Sequence, residues 1–241
     1  MATRPWDRRE LLRWLSLSPL AGAAAVAGFG VDWRGGIRHA AGGTAPHGGT
    51  RGFRRGPLHD APSCEPTTAD VEGPFYVAGA PSRTSLAGPD EPGDRIVIRG
   101  RVLGPDCRTP LPNALLDVWQ ADAEGSYHSA EEEYRLRGAL RTDREGRYEF
   151  ASVMPGRYPL VPGSSTGFRP AHIHFTVGSP GHVPLTTQLY FEGDPFLAPK
   201  DACGEMCRSD DPGRIIELVK ADAGPARFAG TFDIVLAQGR A

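Results

Sequence analysis

Residues 169–175 read RPAHIHF and set His172 and His174 two positions apart. In a strand, alternate side chains share a face, so the two imidazoles would point one way while Ile173 and Phe175 point into a core. Two imidazoles side by side suit one metal ion. The bland alternative is a polar strand face whose histidines meet water. Two tyrosines widen the set. Tyr127 closes WQADAEGSY and Tyr158 closes MPGRYP, each in a turn beside an expected strand end. Loops at strand ends are where a sandwich collects its function.

The residues alone leave three metal readings open. His172, His174 and His182 could form a three-histidine zinc site for hydration or hydrolysis, although His182 follows the turn Ser179-Pro180-Gly181. A ferrous site of two histidines and one carboxylate would need an acidic partner, and the nearest downstream is Glu192. The third reading joins Tyr127 and Tyr158 to His172 and His174. Two phenolates and two imidazoles suit Fe(III), a hard and strongly Lewis-acidic ion that can ionise a phenol with an ordinary pKa of about 10. Either tyrosine alone reads as a packed turn residue. Together with RPAHIHF they read as ligands.

These side chains need a frame, and the chain beyond residue 90 supplies one. RIVIRGRVL (95–103), ALLDVWQ (114–120), GRYEF, HIHFTV, TQLYF and TFDIVL read as strands separated by Pro/Gly clusters. Many short strands at this spacing predict a mainly β fold, an antiparallel β-sandwich with long loops. One short peripheral helix is expected over DPGRIIELVKAD, with Asp211 as N-cap, Pro212 at the first helical position and an apolar stripe behind. The segments GRVLGPDCRTPLPNALLDVWQADAEGSY and LRTDREGRYEFASVMPGRY resemble each other loosely, in a style common to small prealbumin-like sandwich modules. A non-catalytic module that binds carbohydrate or protein is therefore a rival reading, and only the convergent ligand set separates the two.

The 241 residues suit one domain with appendages, and 31 glycines with 23 prolines signal many turns. A formal charge of −2 advertises neither nucleic acid nor an acidic membrane surface. No run of about 18–20 apolar residues offers a stable membrane span. Residues 1–27 read as an export signal: DRRELLRW is a charged start, LSLSPLAGAAAVAGFG a weakly apolar sequel, and Arg8–Arg9 points to the twin-arginine translocase as partner. Ala25-Val26-Ala27 offers a small-residue cleavage site. Residues 28–62 are glycine-rich and basic and read as a flexible tether, whose His39, His47 and His59 are scattered linker histidines. The catalytic domain then spans 63–241. Its four cysteines would meet an oxidising compartment on export. Cys203 and Cys207 could be half of a zinc site, but with no matching pair nearby a disulfide is favoured.

At this point the chain resembles the intradiol ring-cleavage dioxygenases, the family of catechol 1,2-dioxygenase and protocatechuate 3,4-dioxygenase. The resemblance runs from Cys64 to Leu236 and rests on five ordered motifs. VEGPFYVAGAP (71–81) has the catechol-type form, PNALLDVWQADAEGSY and RTDREGRYEFASVMPGRYP end in the two tyrosines, RPAHIHF holds the histidines, and TTQLYFEGDP (186–195) has the protocatechuate-type form. The short Tyr158-to-His172 interval is also protocatechuate-like. The resemblance implies non-haem Fe(III) held by Tyr127, Tyr158, His172 and His174, with Tyr158 and His174 axial and Tyr158 displaced by the diol. It implies that Arg169 stabilises charge building on the ring and on oxygen, that Gln188 is a polar neighbour, and that Gly73 and Pro74 wall the pocket. Cys64 would pair with Cys107, as in exported relatives with cysteines in similar places. The implied partners are a catechol-type aromatic diol and O2, and a homo-oligomer is compatible. An export signal and tether stand where cytoplasmic catechol dioxygenases carry a helical dimerisation segment. Mixed catechol-like and protocatechuate-like motifs leave the substrate open.

Overall fold

The computed structural model describes residues 64–128, 133–221 and 224–239. The expected export signal (1–27) and the expected tether (28–62) lie outside the described residues. Twelve strands in this part form two five-stranded sheets and a small two-stranded one.

The first sheet is built on β1 (Arg95–Leu103), whose Ile96, Ile98 and Val102 are fully buried at alternate or near-alternate positions. β4 (Arg147–Val153) pairs with it antiparallel. On the other side β11 (Phe228–Thr231) and then β12 (Ile234–Val235) pair with it parallel, and β10 (Val219–Lys220) extends β11. The run TFDIVL is thus split between two strands. The second sheet has the order β3 (Arg137–Arg141), β2 (Leu115–Gln120), β7 (His172–Gly178), β8 (Leu185–Phe191), β9 (Ile215–Ile216), with only β9 parallel to its neighbour. β5 (Tyr158–Pro159) and β6 (Phe168–Arg169) make the small sheet.

The two large sheets close on one core. Phe175 of β7 meets Tyr148 and Phe150 of β4 and Phe232, with ring centroids 5.5–6.3 Å apart. Leu116, Val118, Ile173, Val177 and Leu189 fill the second sheet's inner face. This is the mainly β sandwich that the strand spacing predicts, with parallel pairs added.

The helix expected after Asp211 is corrected by the structure. Asp211 does accept from the Gly213 amide, but the turn it caps is a single 3-10 turn, Pro212–Arg214. Ile215 and Ile216 then pair with Tyr190 and Phe191 as β9, and Val219 and Lys220 pair with Ala229 and Phe228. Two open sheet edges outbid a marginal helix, because an unpaired ladder costs more than the weak helical preference of β-branched Ile. Arg214, fully buried and ion-paired with Asp70, fixes the switch.

Candidate metal centre

The outer face of the second sheet carries the chemistry. Strand alternation turns His172 and His174 to this face, while Ile173 and Phe175 enter the core. Both histidines are buried, at 2% and 1% exposure, so they do not meet water. The segment after Cys64 covers them. The Asp70 amide donates to the Thr186 carbonyl and Gln188 Nε2 donates to the Val71 carbonyl. Gly73, in the left-handed region at φ +73°, brings its backbone over His174, where an added Cβ would stand 3.6 Å from Cε1. Pro74 is exposed beside it, followed by Phe75, whose ring stacks on Tyr127 with centroids 4.3 Å apart.

Two glycines let the tyrosine turns meet. Asp122 Oδ1 accepts from the amides of Glu124 and Ser126 and so shapes the turn before Tyr127. Gly125, at φ +86°, lies so close to the turn before Tyr158 that an added Cβ would stand 2.4 Å from the Arg157 carbonyl oxygen. Gly156 is equally tight from the other side, 2.4 Å from the Ala123 carbonyl oxygen by the same construction, and its amide donates to the Asp122 carbonyl.

The four side chains converge. Tyr127 Oη stands 3.0 Å from His174 Nε2 and 3.3 Å from His172 Nε2, and Tyr158 Oη stands 3.5 Å from His172 Nε2. His172 Nδ1 donates to the Pro170 carbonyl at 2.7 Å, which leaves its Nε2 lone pair facing the phenols. Trp119 stacks flat on the His174 ring, centroids 4.7 Å apart. Burial pushes the Tyr127 phenol well up, with neighbouring Tyr158 adding to it. Burial also raises Tyr158, against the pull of Arg169. Burial and the charge of Arg169 lower His172 to about 3, and burial with His172 beside it holds His174 well below its ordinary value. The cluster is therefore two neutral phenols and two neutral imidazoles.

This donor set fits a hard trivalent cation. His172, with its Nδ1 proton on the Pro170 carbonyl, turns an Nε2 lone pair toward both phenol oxygens, so oxygen and nitrogen donors crowd one point. The observed donor separations match the roughly 3 Å spacing of neighbouring ligands whose bonds to a metal are about 2 Å. Among the described residues no three His, Cys, Asp or Glu side chains gather as a metal site. That corrects the other two metal readings. His182 sits past the opposite end of β7, its Nδ1 on the Pro180 carbonyl, and Glu192 is exposed beyond β8.

Arg169 lies beside the Tyr158 turn. It pairs in register with Tyr158 and is buried at 3% exposure. Its Nη2 donates to Gln188 Oε1 at 3.0 Å and to the Tyr190 hydroxyl at 3.2 Å, and its Nε donates to Asp201 Oδ1 at 3.1 Å. Burial opposes the charge, but Tyr190 and Asp201 more than offset it and raise the pKa. Cys64 is bonded to Cys107, and Cys203 to Cys207.

Several contributors escape a reading of the sequence. Asp194 Oδ2 accepts from both Arg157 Nε (2.8 Å) and the Ala171 amide (3.0 Å), tying the Tyr158 turn to the histidine strand. Phe75, Tyr190 and Asp194 lie inside quoted motifs and could have been singled out there. Trp119 also lies inside a quoted motif, whereas Asp201 carries no local signal.

Comparison with known proteins assigns the chain to a family. Residues 71–238 match the Dioxygenase_C family of dioxygenases. Catechol 1,2-dioxygenase 2 of Acinetobacter lwoffii is 44% identical over 147 residues, 54% of this chain and 53% of that protein. Chlorocatechol 1,2-dioxygenase of Rhodococcus opacus is 36% identical over 160 residues, 58% and 62% of the two chains. The chain thus spans about half the length of the curated relatives it matches. Among solved structures, the dioxygenase domain of a dioxygenase carbohydrate-binding protein fusion from Streptomyces sp. SirexAA-E is 35% identical with a TM-score of 0.58, covering 73% of this chain and 100% of that one. The 3-chlorocatechol 1,2-dioxygenase of Rhodococcus opacus is 30% identical with a TM-score of 0.63, covering 73% and 75%. With the match filling most of the chain and the two tyrosines and two histidines brought together, the chain belongs to the intradiol ring-cleavage dioxygenase family.

Proposed function

We propose that the protein is a non-haem Fe(III) enzyme that cleaves a catechol-type ring between its two hydroxylated carbons, using both atoms of O2 to give a muconate-type diacid. The observation that carries this reading is the convergence of Tyr127, Tyr158, His172 and His174, with three phenol-to-imidazole pairs at 3.0–3.5 Å. Those four residues would hold the iron. When bound, Fe(III) supplies the Lewis acidity that makes a chelated diol reactive toward O2. Catechol and chlorocatechol 1,2-dioxygenases among the relatives support a catechol-type substrate.

The chain's own residues set the conditions. Phe75, stacked on Tyr127 and edge-on to Tyr158, forms an aromatic wall at the opening, beside Gly73 and Pro74. Tyr158 is the ligand suited to leave: it lies on a two-residue strand, is half-buried, and stands farthest from its histidine partner. Tyr158 would lose its own proton in holding the metal, and the phenolate oxygen would then accept one from the incoming diol. Arg169 is a fixed cation beside Tyr158 that stabilises negative charge developing on ring and oxygen, and Gln188 holds its guanidinium.

Export by the twin-arginine route belongs to the same proposal. Arg8–Arg9 and the weakly apolar run behind it support it, as do two disulfides suited to an oxidising compartment.

The test is to purify the exported protein, measure its metal, and follow a panel of catechols with isotopically labelled O2. The expected result is a coloured, iron-containing protein and a diacid with one labelled oxygen in each new carboxyl group. A yellow semialdehyde, or an active colourless protein with stoichiometric zinc, refutes the reading. Lysine at positions 8 and 9 should hold the protein in the cytoplasm, and unchanged export would dismiss the signal.

A further inference from the structure

Arg169 has one carboxylate partner among the described residues, and that partner sits on an unusual piece of chain. Between β8 and β9 the backbone runs through more than twenty residues without a strand. Asp201, in the middle, is buried at 5% exposure. Its Oδ1 accepts from Arg169 Nε at 3.1 Å and its Oδ2 faces Arg169 Nη2 at 3.4 Å. The same Oδ1 accepts from the Cys203 amide at 2.9 Å, and the Asp201 carbonyl accepts from the Gly204 amide at 2.9 Å. Cys203 is disulfide-bonded to Cys207, whose amide returns to the Gly204 carbonyl. Both cysteines are buried. The Ala202 amide donates to the Phe168 carbonyl, one residue before Arg169. The loop therefore touches the arginine twice, through its side chain and through the strand that carries it.

Gln188 and Tyr190 also hold Arg169, but both are neutral. Only Asp201 grips the guanidinium from the side of Nε, and a two-sided grip fixes the plane of the fork. A loop this long has many conformations to lose, and a short disulfide ring removes some of them next to the residue that matters.

We propose that Asp201 is the positioning residue for Arg169, and that the Cys203–Cys207 disulfide clamps Asp201, coupling this disulfide to turnover. The inference rests on the role given to Arg169 above. Asp201 does not touch the ligand cluster, so its loss should leave iron and diol binding in place and slow only the step in which charge develops.

The experiment uses the iron-loaded enzyme in three variants: Arg169→Ala, Asp201→Asn, and the double variant Cys203→Ser/Cys207→Ser. Each is measured for iron content, for the visible spectrum before and after anaerobic catechol addition, and for the decay of the enzyme–catechol complex on mixing with O2. Asp201→Asn is near-isosteric and keeps an acceptor for the Cys203 amide, so it serves even where the serine variant fails to fold. The expected result is wild-type iron content and catechol binding throughout, with the O2 step slowed about 10- to 100-fold in Asp201→Asn and in the serine variant. Asp201→Glu, which keeps the charge, should recover part of the rate. If Arg169→Ala is slow while Asp201→Asn reacts at the wild-type rate, the positioning role is wrong. A slow Asp201→Asn beside a fully active serine variant removes the clamp, and iron loss in Asp201→Asn makes Asp201 merely structural. Full activity in Arg169→Ala would instead strike the role of Arg169 itself.

Discussion

Asp117 is a carboxylate held where a neutral group would serve better, and replacing it with asparagine should stabilise the protein in a pH-dependent way. It lies on β2 facing outward, partly buried, and its Oδ2 accepts from the Tyr76 hydroxyl at 2.8 Å. Burial raises its pKa from 3.8 to about 6, helped by Glu72 and opposed by the Tyr76 hydrogen bond and by Arg137. The folded value lies above the unfolded one. The group's contribution to stability is therefore fully present below about 3.8 and is lost as pH rises through about 6. At about pH 7 that difference amounts to roughly 3 kcal/mol against folding, relative to a side chain that cannot ionise. Asp117→Asn keeps an acceptor for Tyr76 and removes the charge. Its amide asks for new partners, so the expected gain is about 1–3 kcal/mol at about pH 7, or roughly 3–10 °C in Tm. Near pH 4 the gain should fall to about 0.5 kcal/mol or less, because Asp117 is then neutral in the folded protein and only about half ionised in the unfolded chain. Thermal unfolding of the two proteins across about pH 4–7.5 decides the matter. A variant less stable than the parent at about pH 7, or a difference that ignores pH, refutes the reasoning.

Other perturbations probe other links. Gly125→Ala places a Cβ 2.4 Å from the Arg157 carbonyl oxygen at φ +86°, and should cost about 2–5 kcal/mol while lowering iron content as the tyrosine turns part; normal melting and iron loading would contradict the close approach. Removing the Cys64–Cys107 bond, which spans a sequence separation of 43, should cost about 4 kcal/mol by loop-closure entropy. Denaturant titration of the serine variants reads that loss directly, and an unchanged midpoint would show the covering segment needs no staple. Tyr158→Phe should retain iron through Tyr127, His172 and His174 but shift the visible band and slow the spectral change on catechol addition. Stopped-flow mixing checks this, and wild-type rates would exclude Tyr158 as the ligand that yields.

Much of this arrangement is a property of local sequence. Period-two alternation in RPAHIHF places Ile173 and Phe175 in the core and turns His172 and His174 together to the other face, whatever the rest of the chain does. β1, β2, β4, β7 and β8 follow from the same period and from the Pro/Gly punctuation between them. The family motifs single out the four proposed ligands and Arg169, whereas the residues on their own left zinc, ferrous and ferric readings open.

Tertiary structure decided what local pattern cannot encode. Residues 211–220 carry an N-cap and a stripe that suit a helix, yet the edges of β8 and β11 draw Ile215–Ile216 and Val219–Lys220 into strands, because edge pairing depends on neighbours distant in the chain. His182 and Glu192 lie near the histidine pair in sequence and away from the cluster in space. Tyr127 and Tyr158 meet because Gly125 and Gly156 let two turns touch backbone to backbone. Asp194 and Asp201 reach the site across intervals of 23 and 32 residues, to Ala171 and Arg169. A strand's period fixes which way a side chain faces, but what it faces is set by the packing of the whole sandwich.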